Sequence, residues 1–143
     1  MSFGRYSVAV LAVWVVRTCL NWLFYGMYMT DQMSSAVEQW QGAFREVVLA
    51  YILTDLLVAV VFVWLWAKVA SAFAAGAKGG AVYGLVIGIL AAVLPSVYHF
   101  YSVTYITYGL WTTEIVYQLV AHVIIGVVAA LVYRTSSAAP AAA

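Results

Sequence analysis

An all-α fold, a membrane-embedded bundle of four helices, is what the sequence predicts, and three observations predict it. Hydrophobic residues make up 67% of the chain and charged residues 8%, against about 25% charged in a soluble domain. That is too little polar surface to coat a water-soluble globule. The apolar residues fall into four blocks, Val8 to Met29, Val47 to Trp66, Gly80 to Phe100 and Thr112 to Tyr133. Each is close to the roughly 20 residues that a helix needs to cross hydrocarbon. The blocks are continuously apolar rather than alternating. Backbone groups in lipid must be paired within the protein, so these segments are helices rather than barrel strands. The reading is a single domain over residues 1–134, followed by a Ser/Ala/Pro tail over residues 135–143 that alone is expected to lack order.

The first block opens like a short signal core, with Arg5 and the run from Val8 to Val16, but Arg17 interrupts it. No small-residue cleavage pattern follows and the apolar run resumes, so helix 1 is expected to stay in the membrane. The connection from Thr30 to Arg45 carries Met33, Val37, Trp40 and Phe44 at helical spacing, with Asp31 placed to cap. Two readings fit it: a short helix lying in the interface between helices 1 and 2, or an outward extension of helix 2.

Helix 3 opens with Gly76, Gly80, Gly84, Gly88 and Ala92, each four residues apart. Small residues at that spacing let another backbone approach closely. Gly126 and Ala130 give helix 4 a matching small face. Whether the Gly80, Gly84 and Gly88 face meets helix 4 or another subunit is left open by the spacing. Pro95 is expected to kink helix 3 near its outer end. Tyr98, Tyr101, Tyr105, Tyr108 and Trp111 gather around the second outer connection, as an interfacial aromatic belt or as a ligand-binding cluster.

Lysine and arginine in short loops set topology. Arg5, Lys68, Lys78 and Arg134 fall on one side and Arg45 alone on the other, which places both termini in the cytoplasm. The net charge is +1 with no basic run, so nothing points to nucleic acid. Cys19 is the single cysteine; that excludes a disulfide within the chain and a dithiol redox mechanism of its own.

Intramembrane charges are costly, and each is a functional hypothesis. At 1.5 Å per residue, Arg17 lies roughly 16 Å from the inner end of helix 1, Asp55 roughly 20 Å and His122 roughly 18 Å from the inner ends of helices 2 and 4. Three ionisable residues from three helices therefore share a level near the midplane. Arg17 keeps its proton and Asp55 is the carboxylate at its depth, so a direct pair is expected, with the arginine fork holding the carboxylate by two bonds. Asn21, one turn from Arg17, joins them. The midplane polar network is thus Arg17, Asn21, Asp55 and His122. It either fixes helix packing alone or serves a proton path, a substrate anion or a partner's group. A second, outer polar line runs through Glu114 and Gln118 towards His122, with His99 of helix 3 near the depth of Glu114.

A haem shared by His99 and His122 does not fit, because they differ in depth by roughly 9 Å. One histidine holding a haem or pigment alone stays open, and no cofactor is expected. No metal pair, phosphate loop or nucleophile with a base is found in the sequence.

The stretch GAKGGAVYGLVIGIL from Gly76 and the run LWTTEIVYQLVAHVIIGVVAALVYR ending at Arg134 give the chain a resemblance. Over residues 45–134 it resembles a family of small, uncharacterised bacterial inner-membrane proteins with a glycine-rich third helix and a closing Tyr-Arg or Tyr-Lys pair. The resemblance implies four helices and the bacterial inner membrane. It supplies no activity, and no functional residue carries over from it.

The expected function is a non-catalytic membrane protein, an accessory or structural subunit of a larger assembly or a homo-oligomer, in contact with lipid and with other membrane subunits or itself. The alternative is a small transporter or channel using Arg17, Asp55 and His122. Small drug exporters of four helices place an essential acid in helix 1, where this chain has Arg17. An enzyme ranks third, for want of a catalytic set.

Overall fold

The computed structural model describes residues 3–30, 48–102 and 107–133. It is an all-α bundle of four helices: α1 (Phe3–Tyr28), α2 (Val48–Ala72), α3 (Ala77–Ser102) and α4 (Tyr108–Val132), each long and apolar enough to cross a membrane. At 25 or 26 residues, each is longer than the roughly 20 that hydrocarbon requires. Helical backbone therefore runs past the apolar blocks, which is why α1 starts at Phe3 rather than Val8 and α3 at Ala77 rather than Gly80. The expected interfacial helix between helices 1 and 2 and the Ser/Ala/Pro tail lie outside the described residues, as do Arg45 and Arg134.

Neighbouring helices are antiparallel, and polar-tipped aromatics tie them. The Tyr6 hydroxyl donates to the Val60 carbonyl at 2.9 Å, and Trp14 Nε1 donates to the Ile52 carbonyl at 3.1 Å, joining α1 to α2. The Tyr83 hydroxyl donates to the Phe62 carbonyl at 2.6 Å, joining α3 to α2. Buried tyrosine and tryptophan need such acceptors, because lipid offers none. α4 packs against α3 on one flank and α1 on the other. Thr107 starts α4: its side chain accepts from the Leu110 amide at 3.2 Å and satisfies one of the amides that a helix start leaves without a partner.

The apolar core sits in one half of the bundle, towards the end that carries Arg5, Lys68 and Lys78. There Val13, Phe62, Val63, Trp66, Tyr83 and Ile125 are buried against one another. The opposite half is built differently. Among the described residues, nothing is buried from Trp14 to Tyr28, from Val48 to Thr54, from Ile89 to Ser102 or from Tyr108 to Val120. Both π turns, Phe24–Tyr28 and Ile89–Val93, fall in that half, whereas the 3-10 turn Ala70–Ala72 ends α2 in the other. The second π turn lies immediately before the turn containing Pro95. Proline has no N–H and its ring crowds the carbonyl four residues back, so the helix widens where a kink was expected.

Candidate functional site

Two seams run along α4, and Arg17, Asn21, Asp55, Glu114, Gln118, His122 and the glycines at 80, 84, 88 and 126 fall on one or the other. The first joins α3 to α4. A methyl group at Gly80 would meet the Gly126 carbonyl, one at Gly84 the His122 carbonyl, and one at Gly126 the Gly80 carbonyl. At Gly88 the nearest atom would be His122 Cβ, 3.0 Å away. The glycine face therefore meets helix 4 of its own chain. An argument for a second subunit at this face falls away with that contact.

The second seam joins α1, α2 and α4 and is polar. Arg17 Nε donates to Asp55 Oδ1 at 2.8 Å. The expected two-bond fork is absent from this pair. Asn21 supplies the second hold instead, its Nδ2 lying 2.9 Å from both Oδ1 and Oδ2 of Asp55. Asp55 itself is buried, 6% exposed. The Tyr117 hydroxyl then donates to Asn21 Oδ1 at 2.6 Å, bringing α4 into the network.

One turn further from the basic end, a second group repeats the theme. The Tyr25 hydroxyl donates to Glu114 Oε1 at 3.1 Å and accepts from Gln118 Nε2 at 2.9 Å. Between the groups, the rings of Phe24 and Tyr117 stack in parallel, 3.8 Å apart, and Tyr25 meets Tyr117 edge-on at 5.6 Å. The π turn that begins at Phe24 sets Phe24 and Tyr25 against α4 at this level. Thr18 Oγ1, one residue after Arg17, is buried with no hydrogen-bond partner among the described residues.

His122 belongs to the glycine seam and not to the midplane network where the sequence put it. It is buried, 4% exposed, with Nδ1 2.7 Å from the Gln118 carbonyl and its ring centroid 6.3 Å from that of Phe62. The reason is helical geometry. A step of four residues overshoots a full turn by about 40°. The line Glu114, Gln118, His122, Gly126, Ala130 is therefore a spiral rather than a single face. It begins against α1 and ends against α3. His99 is exposed in the last turn of α3.

Tyr25 and Tyr117 are the residues that sequence reading missed. The available signal was position: each lies inside an apolar span, away from the interfacial belt, where a phenol needs a polar partner. The aromatic residues of the second outer connection lie at the far end. Tyr98, Tyr101 and Tyr108 are exposed, while Trp111 stacks on Phe100 at 4.7 Å and donates to the Ser96 carbonyl at 3.2 Å. Tyr105 lies outside the described residues. Among the described residues, no group of three or more His, Cys, Asp or Glu stands together to hold a metal ion.

The fold and its seams define a helical bundle with four membrane-length apolar helices and an ion pair inside the bundle. Comparisons of the chain with protein-family models, with curated proteins and with solved structures found no match. The resemblance noted over residues 45–134 thus stands on glycine spacing and the closing Tyr-Arg pair alone.

Proposed function

We propose that the chain is a non-catalytic protein of the bacterial inner membrane, with both termini cytoplasmic, acting as an accessory or structural subunit of a membrane assembly or as a homo-oligomer. One observation carries the reading: the ionisable side chains of the polar seam are tied to one another across three helices. Cross-linked in this way, the polar side chains act as glue between helices and make a rigid scaffold. The surface towards lipid offers apolar side chains such as Leu11, Val15, Leu53 and Leu57. Arg5, Lys68 and Lys78 share one end of the bundle, which supports a cytoplasmic assignment for that end. The test is cross-linking in intact membranes, followed by mild-detergent purification and mass measurement. A stoichiometric complex with another membrane protein or with itself is the expected result, and a chain that stays monomeric and alone overturns the reading. A carboxyl-terminal reporter should behave as cytoplasmic.

The alternative, a small transporter or channel, draws on the polar string from Glu114 to Arg17. Against it stands the apolar plug of Val13, Phe62, Trp66 and Tyr83 beyond Arg17. An ion or proton path needs polar groups or water on both sides of the midplane, and the polar string serves one. Solute or proton flux into vesicles reconstituted with the pure protein would reinstate this reading.

A further inference from the structure

The two ends of the bundle carry charge differently. Arg5 near the start of α1, Lys68 in the last turn of α2 and Lys78 in the first turn of α3 are exposed at one end. The five acidic residues of the chain lie elsewhere. Asp55 and Glu114 belong to the polar seam. Asp31, Glu38 and Glu46 fall in the stretch that joins α1 to α2, which leaves the one helix and enters the other at the opposite end. The helices thus bring cations to the basic end and no carboxylate side chain with them.

Two of these cations flank a connection that is itself well held. Between α2 and α3 the Phe73 amide donates to the Ala70 carbonyl at 3.2 Å, and the Gly80 amide to the Gly76 carbonyl at 3.1 Å. A methyl group at Gly79 would meet the Ala74 carbonyl, so the connection lies directly on the first turn of α3. The Phe73 ring packs beside those of Trp66 and Tyr83, with centroids 5.9 and 5.8 Å away, and ties the connection to the buried core. Around the same end, every helix exposes apolar side chains: Phe3 on α1, Trp64 and Val69 on α2, Val82 on α3 and Leu131 on α4. Cations at the rim of an apolar collar match the boundary where hydrocarbon gives way to phosphate headgroups. The stems of lysine and arginine lie along the apolar surface while their charges reach the phosphates.

We infer that the end carrying Arg5, Lys68 and Lys78 binds the headgroups of anionic phospholipids in preference to zwitterionic ones. Each cation near such a surface favours the anionic lipid about five-fold. The inference rests neither on the chain having protein partners nor on which side of the membrane this end faces.

Native mass spectrometry of the purified protein, given equimolar phosphatidylglycerol and phosphatidylcholine of the same acyl chains, reads the preference directly. The wild type should retain phosphatidylglycerol in excess. Lys68→Gln and Lys78→Gln should each reduce that excess, by up to about five-fold, and the triple variant with Arg5→Gln should lose most of it. Arg134, which the sequence places at the same end, lies outside the described residues and stays unchanged in these variants. Should the triple variant not fold, thermal unfolding of the wild type decides. Phosphatidylglycerol should raise the unfolding temperature more than phosphatidylcholine, and salt at about 1 M, where the screening length is about 3 Å, should remove the difference. Equal retention of the two lipids by the wild type overturns the inference. So does an excess undiminished in the triple variant, which puts the anionic lipid elsewhere on the molecule, or a difference in unfolding temperature that survives the high salt. Displacement of phosphatidylglycerol by equal inorganic phosphate assigns the cations to a free anion and overturns the lipid as their partner.

Discussion

The α3–α4 seam and the α1–α2–α4 seam hold helices together by opposite means. In the first, side chains are removed: Gly80, Gly84 and Gly126 let carbonyls of the facing helix lie where a methyl group would sit. Its strength is van der Waals contact between backbones, the driving force left when lipid tails are as apolar as leucine. In the second, side chains are added: Arg17, Asn21, Asp55 and Tyr117 bridge the gap between helices with hydrogen bonds of 2.6 to 2.9 Å. The first seam tolerates no added atom, and the second tolerates no lost one. The two also divide the bundle in length. The glycine seam lies beside the buried core, and the polar seam runs into the half where Met29 alone of the described residues is buried.

The comparison breaks most visibly at Asp55. Replacing it with leucine leaves Arg17 and Asn21 both without an acceptor. Loss of one partner of a buried pair costs about 3–5 kcal/mol, so Asp55→Leu should lose most of its folded population in detergent, read by thermal unfolding. Arg17→Leu should cost less, because Asn21 still holds both oxygens of Asp55. The double variant should recover part of the loss. A double variant no better than the worse single one would show that the two residues are not coupled.

In the other seam, Gly84→Ala places a methyl group on the His122 carbonyl, and overpacking of this kind costs about 1–3 kcal/mol. Gly84→Leu should abolish folding outright. Gly88→Ala should cost less, since it meets a side-chain atom of His122 at 3.0 Å rather than backbone, and side chains shift more cheaply. Equal unfolding temperatures for Gly84→Ala and the wild type would show that the helices have room to part.

Tyr117→Phe removes the link from α4 to Asn21 while keeping the stack on Phe24. A single hydrogen bond contributes about 1 kcal/mol net, and chemical denaturation should find a loss of that size. The smallest effect is expected from Trp14→Phe, which gives up only the bond to the Ile52 carbonyl. Hydrogen bonds between membrane helices average about 0.6 kcal/mol. A Trp14→Phe loss larger than that of Tyr117→Phe would place the critical polar contact of α1 nearer the core than the polar seam does.

Much of the fold was legible in the sequence because membrane constraints act on one dimension. Length and continuity of apolar residues give the four spans, and rise per residue gives the depth at which Arg17 and Asp55 meet. The four-residue spacing of Gly80, Gly84 and Gly88 announced a close approach. Less legible was which neighbour each residue faces. His122 shared a depth with Arg17 and was assigned to the same network, yet it lies on the other side of α4. Tyr117 was passed over, although it points at Asn21. Tyr117 and His122 are five residues apart, which turns them about 140° from each other around the helix.

By itself the sequence determined the class of protein, the number of spans and the level of each charge, because hydrocarbon penalises every unpaired backbone group and every unaccompanied ion wherever the helix stands. Only the tertiary structure decided that α4 serves two seams, that the glycines meet their own chain, and that Asn21 rather than an arginine fork completes the hold on Asp55. Those outcomes depend on how each helix is rotated about its axis. That rotation is fixed by contacts with neighbours distant in sequence, such as Tyr117 on Asn21 and Gly126 on Gly80, and not by any pattern within a single span.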